Sequence, residues 1–248
     1  MQKNKKMCSA FLVVITLALC YTPQAARYDP LISAQALATQ KALSDSEDGQ
    51  SSKFFNSVMP SNGGANVNMY TTRQMDYMIE NRILDEVVYR QDRCQFTEDI
   101  EDRARKLNIP EFMFAWGSML MDGVCVKQDR DLGLEYIKKS AKEAYPPALV
   151  RLSFFYEYGY YLKKDTRKAL NFMHTAAALG SPLGRIRWAE MLSRGLGAVS
   201  QYEEAYRWLY HASYDNSELQ QKQAELSIWL EHRIPPLIVA RTRLLSYE

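Results

Sequence analysis

The chain has 248 residues, 47% of them hydrophobic and 24% charged. That is enough apolar material for a sizeable core and too much for a disordered polymer. A formal net charge of only +2 excludes the basic excess of a nucleic-acid binder.

The first 26 residues hold Lys3, Lys5 and Lys6, an apolar run from Phe11 to Leu19, and then small residues ending in Ala25-Ala26. This is the layout of a secretory signal peptide, with cleavage expected after Ala26 and an apolar stretch too short to span a bilayer. Cys20 is a poor lipid-attachment site because the bulky Leu19 precedes it. Cleavage removes three lysines and no acid, so the slightly basic balance belongs to the signal. No later apolar run reaches the length of a membrane span.

Residues 27–69 are rich in Ser, Asn, Gly and Gln and read as a flexible polar leader, because they cannot bury enough apolar surface to offset the entropy of ordering. Order is expected from Tyr70, with N-terminal helices over 70–110. Thr71 and Gln74 have the spacing of a capping box, followed by a roughly helical stripe through Met75, Met78 and Ile79 and then Leu84. A second helix is predicted from Cys94 to Leu107, stopping before Pro110.

Residues 111–216 repeat with a period of 36. Trp116, Leu152 and Trp188 superpose, as do Met119, Phe155 and Met191, and Gly123, Gly159 and Gly195. In the second half of each unit Gly133, Ala169 and Ala205 align, then Tyr136, Phe172 and Trp208, then Ser140, Ala176 and Ala212. Such a period, with small residues at fixed points, specifies stacked helix pairs. The fold class is therefore all-α, a solenoid of tetratricopeptide-like pairs with flanking helices. The glycines suit left-handed helix ends, and Asp129 and Asp165 stand where the second helix of a pair needs its cap. Gln201 takes that place in the third unit, where a less regular turn is expected. A final helix is predicted over Ser217 to Arg233, within a C-terminal helix and tail spanning 217–248.

Cys94 and Cys125 remain after signal removal, and in an oxidising compartment an even pair reads as one disulfide. Closing that loop stabilises the fold by about 4 kcal/mol in the chain-entropy model. A redox switch is the functional alternative. His174, His211 and His232 stand in no ligand spacing with either cysteine, so neither metal nor cofactor is expected. Glu98, Asp99, Glu101 and Asp102 read as a solvated face with Asp99 to Arg103 and Asp102 to Lys106 pairs, a cation site being the alternative. Glu231-His232 reads as a solvated helix end. Trp208 takes a core slot, and the flanking Tyr206 and Tyr210 are expected to be half exposed.

The stretch SFFYEYGYYLKK, residues 153–164, holds six aromatic rings within eight residues. The register assigns Phe155 and Tyr156 to the core and Gly159 to the helix stop. Phe154 aligns with Ser118 and Glu190, and Tyr158 with Asp122 and Arg194, which read as outward slots. Phe154, Tyr158, Tyr160 and Tyr161 are therefore candidate partner-binding residues, with local packing on the turn as the alternative.

The glycines and the Ala169, Phe172, Ala176-Ala177, Gly180 pattern resemble SEL-like repeats. The stretches WGSMLMDGVCVKQDRDLGLEYI, EEAYRWLYHA, RCQFTEDIEDRA and IPPLIVARTR are similar to those of the MotX family, between about Tyr70 and Arg243. Ser153 and Gly133 depart from the glycine and alanine expected in their slots, which should loosen local packing. The resemblance implies a structural cysteine pair and a non-enzymatic periplasmic protein of sodium-driven polar flagellar motors. It also implies a ring with a MotY-like protein around the basal body, and recruitment of a PomA/PomB-type stator. Some secreted SEL-like proteins have been linked to β-lactam hydrolysis, but those resemble cysteine-rich arrays with a bridge in each pair. No Ser-x-x-Lys stretch is placed on a nucleophile helix here.

Overall fold

The computed structural model describes residues 70–214 and 217–244; the signal peptide and polar leader lie outside them. Every regular element among the described residues is helical. Helix α1 (Thr72–Glu80) starts on the predicted capping box: the Gln74 N–H donates to Thr71 Oγ1 at 3.2 Å, and the Thr71 N–H donates to Gln74 Oε1 at 2.8 Å. Each bond satisfies a donor the first turn leaves open, and the helix buries Met75, Met78 and Ile79. Helix α2 (Leu84–Glu86) passes into a π-helical turn, Val87–Gln91.

Helix α3 (Thr97–Arg105) is shorter than the predicted 94–107. Cys94 is left-handed, φ 65°, with its N–H turned back to the Val88 carbonyl, and Asn108 is left-handed ahead of Pro110. Both ends are thus set by backbone that cannot continue a helix.

The repeats follow as α4 (Pro110–Asp122) with α5 (Arg130–Lys142), α6 (Pro146–Tyr158) with α7 (Thr166–Ala178), and α8 (Pro182–Ser193) with α9 (Tyr202–Tyr210). Proline opens each leading helix, where its missing N–H costs nothing and its fixed φ favours the helix. Gly123 and Gly159 close the first two in the left-handed region, φ 74° and 78°. The Asp129 and Asp165 carboxylates accept from the N–H groups of Leu132 and Lys168, each at 3.0 Å. In the third unit a 3-10 turn, Val199–Gln201, replaces this cap, and Gln201 Oε1 accepts from the Ala198 N–H instead.

Contact within a pair is closest in the first unit. A methyl group on Gly133 would lie 2.6 Å from the Gly117 carbonyl oxygen and 2.5 Å from Met121 Cγ. In the second unit the buried Ser153 hydroxyl donates to the Ala169 carbonyl at 2.6 Å. The expectation that these two residues loosen packing is therefore corrected: the missing methyl lets α4 and α5 approach, and the hydroxyl ties α6 to α7.

The third pair is covered by α10 (Ser217–Glu231), with α11 (Pro236–Leu244) beyond it. Trp188, Tyr206, Leu209, Leu226, Leu230 and Ile234 share one buried cluster, on which Ile238 and Val239 rest half-buried. This covering corrects two expectations. Tyr206 is fully buried, 0% exposed, because α10 lies over it and the Glu231 carboxylate accepts from its hydroxyl at 2.6 Å. Glu231 is accordingly no simple solvated end; Arg243 also donates to it at 2.8 Å.

A candidate docking face on the repeat turns

Two successive turns use one backbone plan differently. After α4, Gly123 is followed by Cys125, left-handed with φ 60°, which forms a disulfide with Cys94. The Cα atoms are 5.4 Å apart, and the bridge ties this turn to the segment after the π-helical turn. Gln128 donates its side-chain amide to the Met121 carbonyl at 2.8 Å, and Val124 is buried. Lys127, Gln128, Asp129 and Arg130 are the exposed residues of this turn.

The turn after α6 has Tyr160 and Tyr161 where the first has Val124 and Cys125. Tyr161 adopts the same left-handed backbone, φ 56°, without a covalent tie. Its ring packs edge-on against Phe155, 5.1 Å between centroids. The rings of Phe154 and Tyr158 lie 4.6 Å apart, with Tyr160 5.7 Å from Phe154 and stacked on Tyr158 at 6.0 Å. Tyr158 is 38% and Tyr161 44% exposed.

Phe154 is not an outward residue: it is 7% exposed, and Ser118 in the same register is also buried. Tyr158 and Tyr160 close over the Phe154 ring. Phe154 supports the surface from beneath, and its tyrosine neighbours form it. Tyr156 is half-buried and stacks parallel on Phe172.

The cations beyond the aromatic run escaped the sequence reading. Lys163, Lys164 and Arg167 are exposed, and none makes an ion pair among the described residues. Lys168 is 3.8 Å from the Asp165 carboxylate and holds its ammonium 5.3 Å over the Tyr156 ring. Subtracting one repeat from each number would have shown that the matching residues of the first turn include only one cation, Lys127.

Elsewhere several charges are matched, while Lys127, Arg130, Lys138 and Lys142 likewise make no ion pair among the described residues. Arg194 at the end of α8 reaches back to the buried Glu157 of α6 at 2.6 Å. Arg187 and Lys222 both meet Glu190, at 2.9 and 3.5 Å. The acids of α3 form the predicted pairs, Asp99 with Arg103 and Asp102 with Lys106. Arg103 also donates to the Tyr70 carbonyl and lies over the Phe112 ring. Among the described residues no group of three His, Cys, Asp or Glu side chains could hold a metal.

Two carboxylates beside the first turn are raised. Burial pushes Asp85 up to about 7, with the neighbouring Asp122 adding to the rise and Arg151 opposing it. Burial also raises Asp122, against the pull of Arg151 and Arg130. His174 sits beside Trp188 and Trp208, 4.7 and 5.5 Å between ring centroids, and bonds Glu204 at 3.2 Å. Those rings fill the seam between the second and third pairs.

The Sel1 repeat family model matches residues 110–145, 146–181 and 182–217. A curated relative, the sodium-type polar flagellar protein MotX of Vibrio parahaemolyticus, is 39% identical over 181 residues, covering 73% of this chain and 85% of that one. Among solved structures the chain is similar to a Sel1 repeat protein from Oxalobacter formigenes, at 18% identity and a TM-score of 0.48 over 52% of this chain and 97% of that one. It is also similar to c5321, a protective antigen of uropathogenic Escherichia coli with an SLR fold, at 18% identity and a TM-score of 0.42, over 71% and 41% of the two chains.

Proposed function

The chain belongs to the MotX family, and on that basis we propose that it is a component of a sodium-driven polar flagellar motor. It acts as a periplasmic scaffold without catalytic activity, delivered by a cleavable signal over residues 1–26 with a polar leader over 27–69. It forms a ring around the basal body with a MotY-like protein and helps to recruit or stabilise a PomA/PomB-type stator through the stator's periplasmic part. The observation that carries this reading is the 39% identity to a sodium-type polar flagellar protein across 85% of that protein's length.

The physical character of the molecule supports a binding role. A stack of helix pairs presents a long surface whose residues vary from repeat to repeat while the core pattern is kept. Ion pairs such as Arg194 with Glu157 tie neighbouring helix pairs together, and the turn after α6 presents Tyr158, Tyr161, Lys163, Lys164 and Arg167 at the surface. No helix among the described residues is long and apolar enough to cross a membrane.

Deleting the gene in a flagellated strain tests the proposal. Loss of swimming with intact filaments, restored by the full chain on a plasmid, is the expected result. Normal swimming of the deletion strain would sink it.

A further inference from the structure

We infer that the turn from Tyr158 to Lys168 is a docking surface for an acidic segment of a partner protein, an inference that rests on the scaffold reading. In this stretch the plan shared with the first turn needs a left-handed Gly159, a left-handed residue at the Tyr161 place and the Asp165 cap. The corresponding places after α4 hold Asp122, Val124, Cys125, Lys127, Gln128 and Asp131; after α8 they hold Arg194, Leu196, Gly197, Val199, Ser200 and Glu203. Only the middle turn answers with Tyr158, Tyr160, Tyr161, Lys163, Lys164 and Arg167. The three cations make no ion pair among the described residues, and they stand beside tyrosines whose rings pack on Phe154 and Phe155.

The charge and side-chain composition of the turn point to recognition. The local acids are already engaged: Asp165 accepts from the Lys168 N–H, and Glu157 is buried under Arg194. The field over the turn is consequently positive, and its complement is a run of carboxylates. Exposed tyrosine rings add rigid contact area with a hydroxyl at the tip, the composition of protein interfaces. A lipid surface fits less well, because the turn exposes no Leu, Ile, Phe or Trp to enter the acyl region; Leu162 is half-buried and Phe154 lies beneath the tyrosines.

The test uses the full mature chain and a fluorescent peptide alternating glutamate with serine, read by anisotropy. The acidic peptide binds, rising salt weakens it, and its glutamine counterpart does not bind. Reversing Lys163→Glu, Lys164→Glu and Arg167→Glu together lowers affinity about tenfold or more and lets a lysine–serine peptide bind instead. Tyr158→Ser with Tyr161→Ser lowers it by a smaller factor, with the helical circular dichroism retained. Unchanged affinity in the charge-reversed chain overturns the inference. So does a chain that ignores the acidic peptide but sediments with phosphatidylglycerol vesicles. Should the peptide fail while the wild-type chain still restores swimming to the deletion strain, only this inference falls; failure to restore swimming falls on the motor reading.

Discussion

Cys125 and Tyr161 occupy the same place in consecutive repeats and share a left-handed backbone, φ 60° and 56°, but they are held by different means. The first is fixed by a disulfide to Cys94; the second leans its ring on Phe155 and leaves 44% of itself exposed. Around Cys125 the turn is closed by buried Val124 and by the Gln128 amide. Around Tyr161 it opens into two more tyrosines and three cations that make no ion pair among the described residues. The difference teaches that one backbone plan can serve as a staple in one repeat and as a presented surface in the next. Stability and recognition should therefore respond to different mutations.

Breaking the staple gives the largest effect. Cys94→Ser with Cys125→Ser reopens a separation of 31 residues and should cost about 4 kcal/mol. The thermal midpoint, measured under oxidising conditions, should fall by many degrees, while peptide binding at a temperature where the variant stays folded should be kept. Loss of binding by the folded variant would break the comparison.

The carboxylates beside the first turn give a smaller effect that depends on pH. Asp85 is raised from 3.8 to about 7, so the folded chain keeps a proton that the unfolded chain releases. Its contribution is fully present below the unfolded value and is lost as pH rises toward about 7. Part of the Asp85 side chain still reaches the surface, and solvent reduces the effect to about 1–2 kcal/mol. Asp85→Asn should leave stability at about pH 4 nearly unchanged and raise it relative to wild type at about pH 8. Denaturant melts at the two pH values read this directly, and equal differences at both would contradict it.

Tyr161→Gly gives the smallest effect on stability. Glycine relaxes the left-handed backbone but forfeits the ring contact with Phe155 and adds freedom to the unfolded chain, so the net change should stay within about 1 kcal/mol. A loss several times larger, seen in a denaturant melt, would mean that the turn after α6 is as structural as the one after α4.

Much of the fold was legible because it is written in period and punctuation. The 36-residue spacing, the prolines and glycines at helix ends and the two aspartate caps depend on local backbone chemistry, which a sequence displays. Phe154 was misread because its exposure depends on the Tyr158 and Tyr160 rings folding over it, and the repeat register does not report where those rings go. Gly133 was misjudged for a similar reason: absence of a methyl group reads as looseness until the opposing Gly117 carbonyl is seen beneath it. Helix α11 was read as part of the tail beyond Arg233, whereas Pro236 opens it at the first helical position, where proline is favoured. Aromatic density drew attention to the docking face, and the three cations beside it became meaningful only on comparison with the same slots in the other repeats.

The most direct measurement is capture of the folded mature chain by the immobilised periplasmic parts of the proposed ring and stator partners. Two variants are compared side by side: charge reversal of Lys163, Lys164 and Arg167, and reversal of Lys127 in the first turn. The account predicts that the middle-turn variant loses capture while the Lys127 variant matches wild type. Undiminished capture of the middle-turn variant would contradict it.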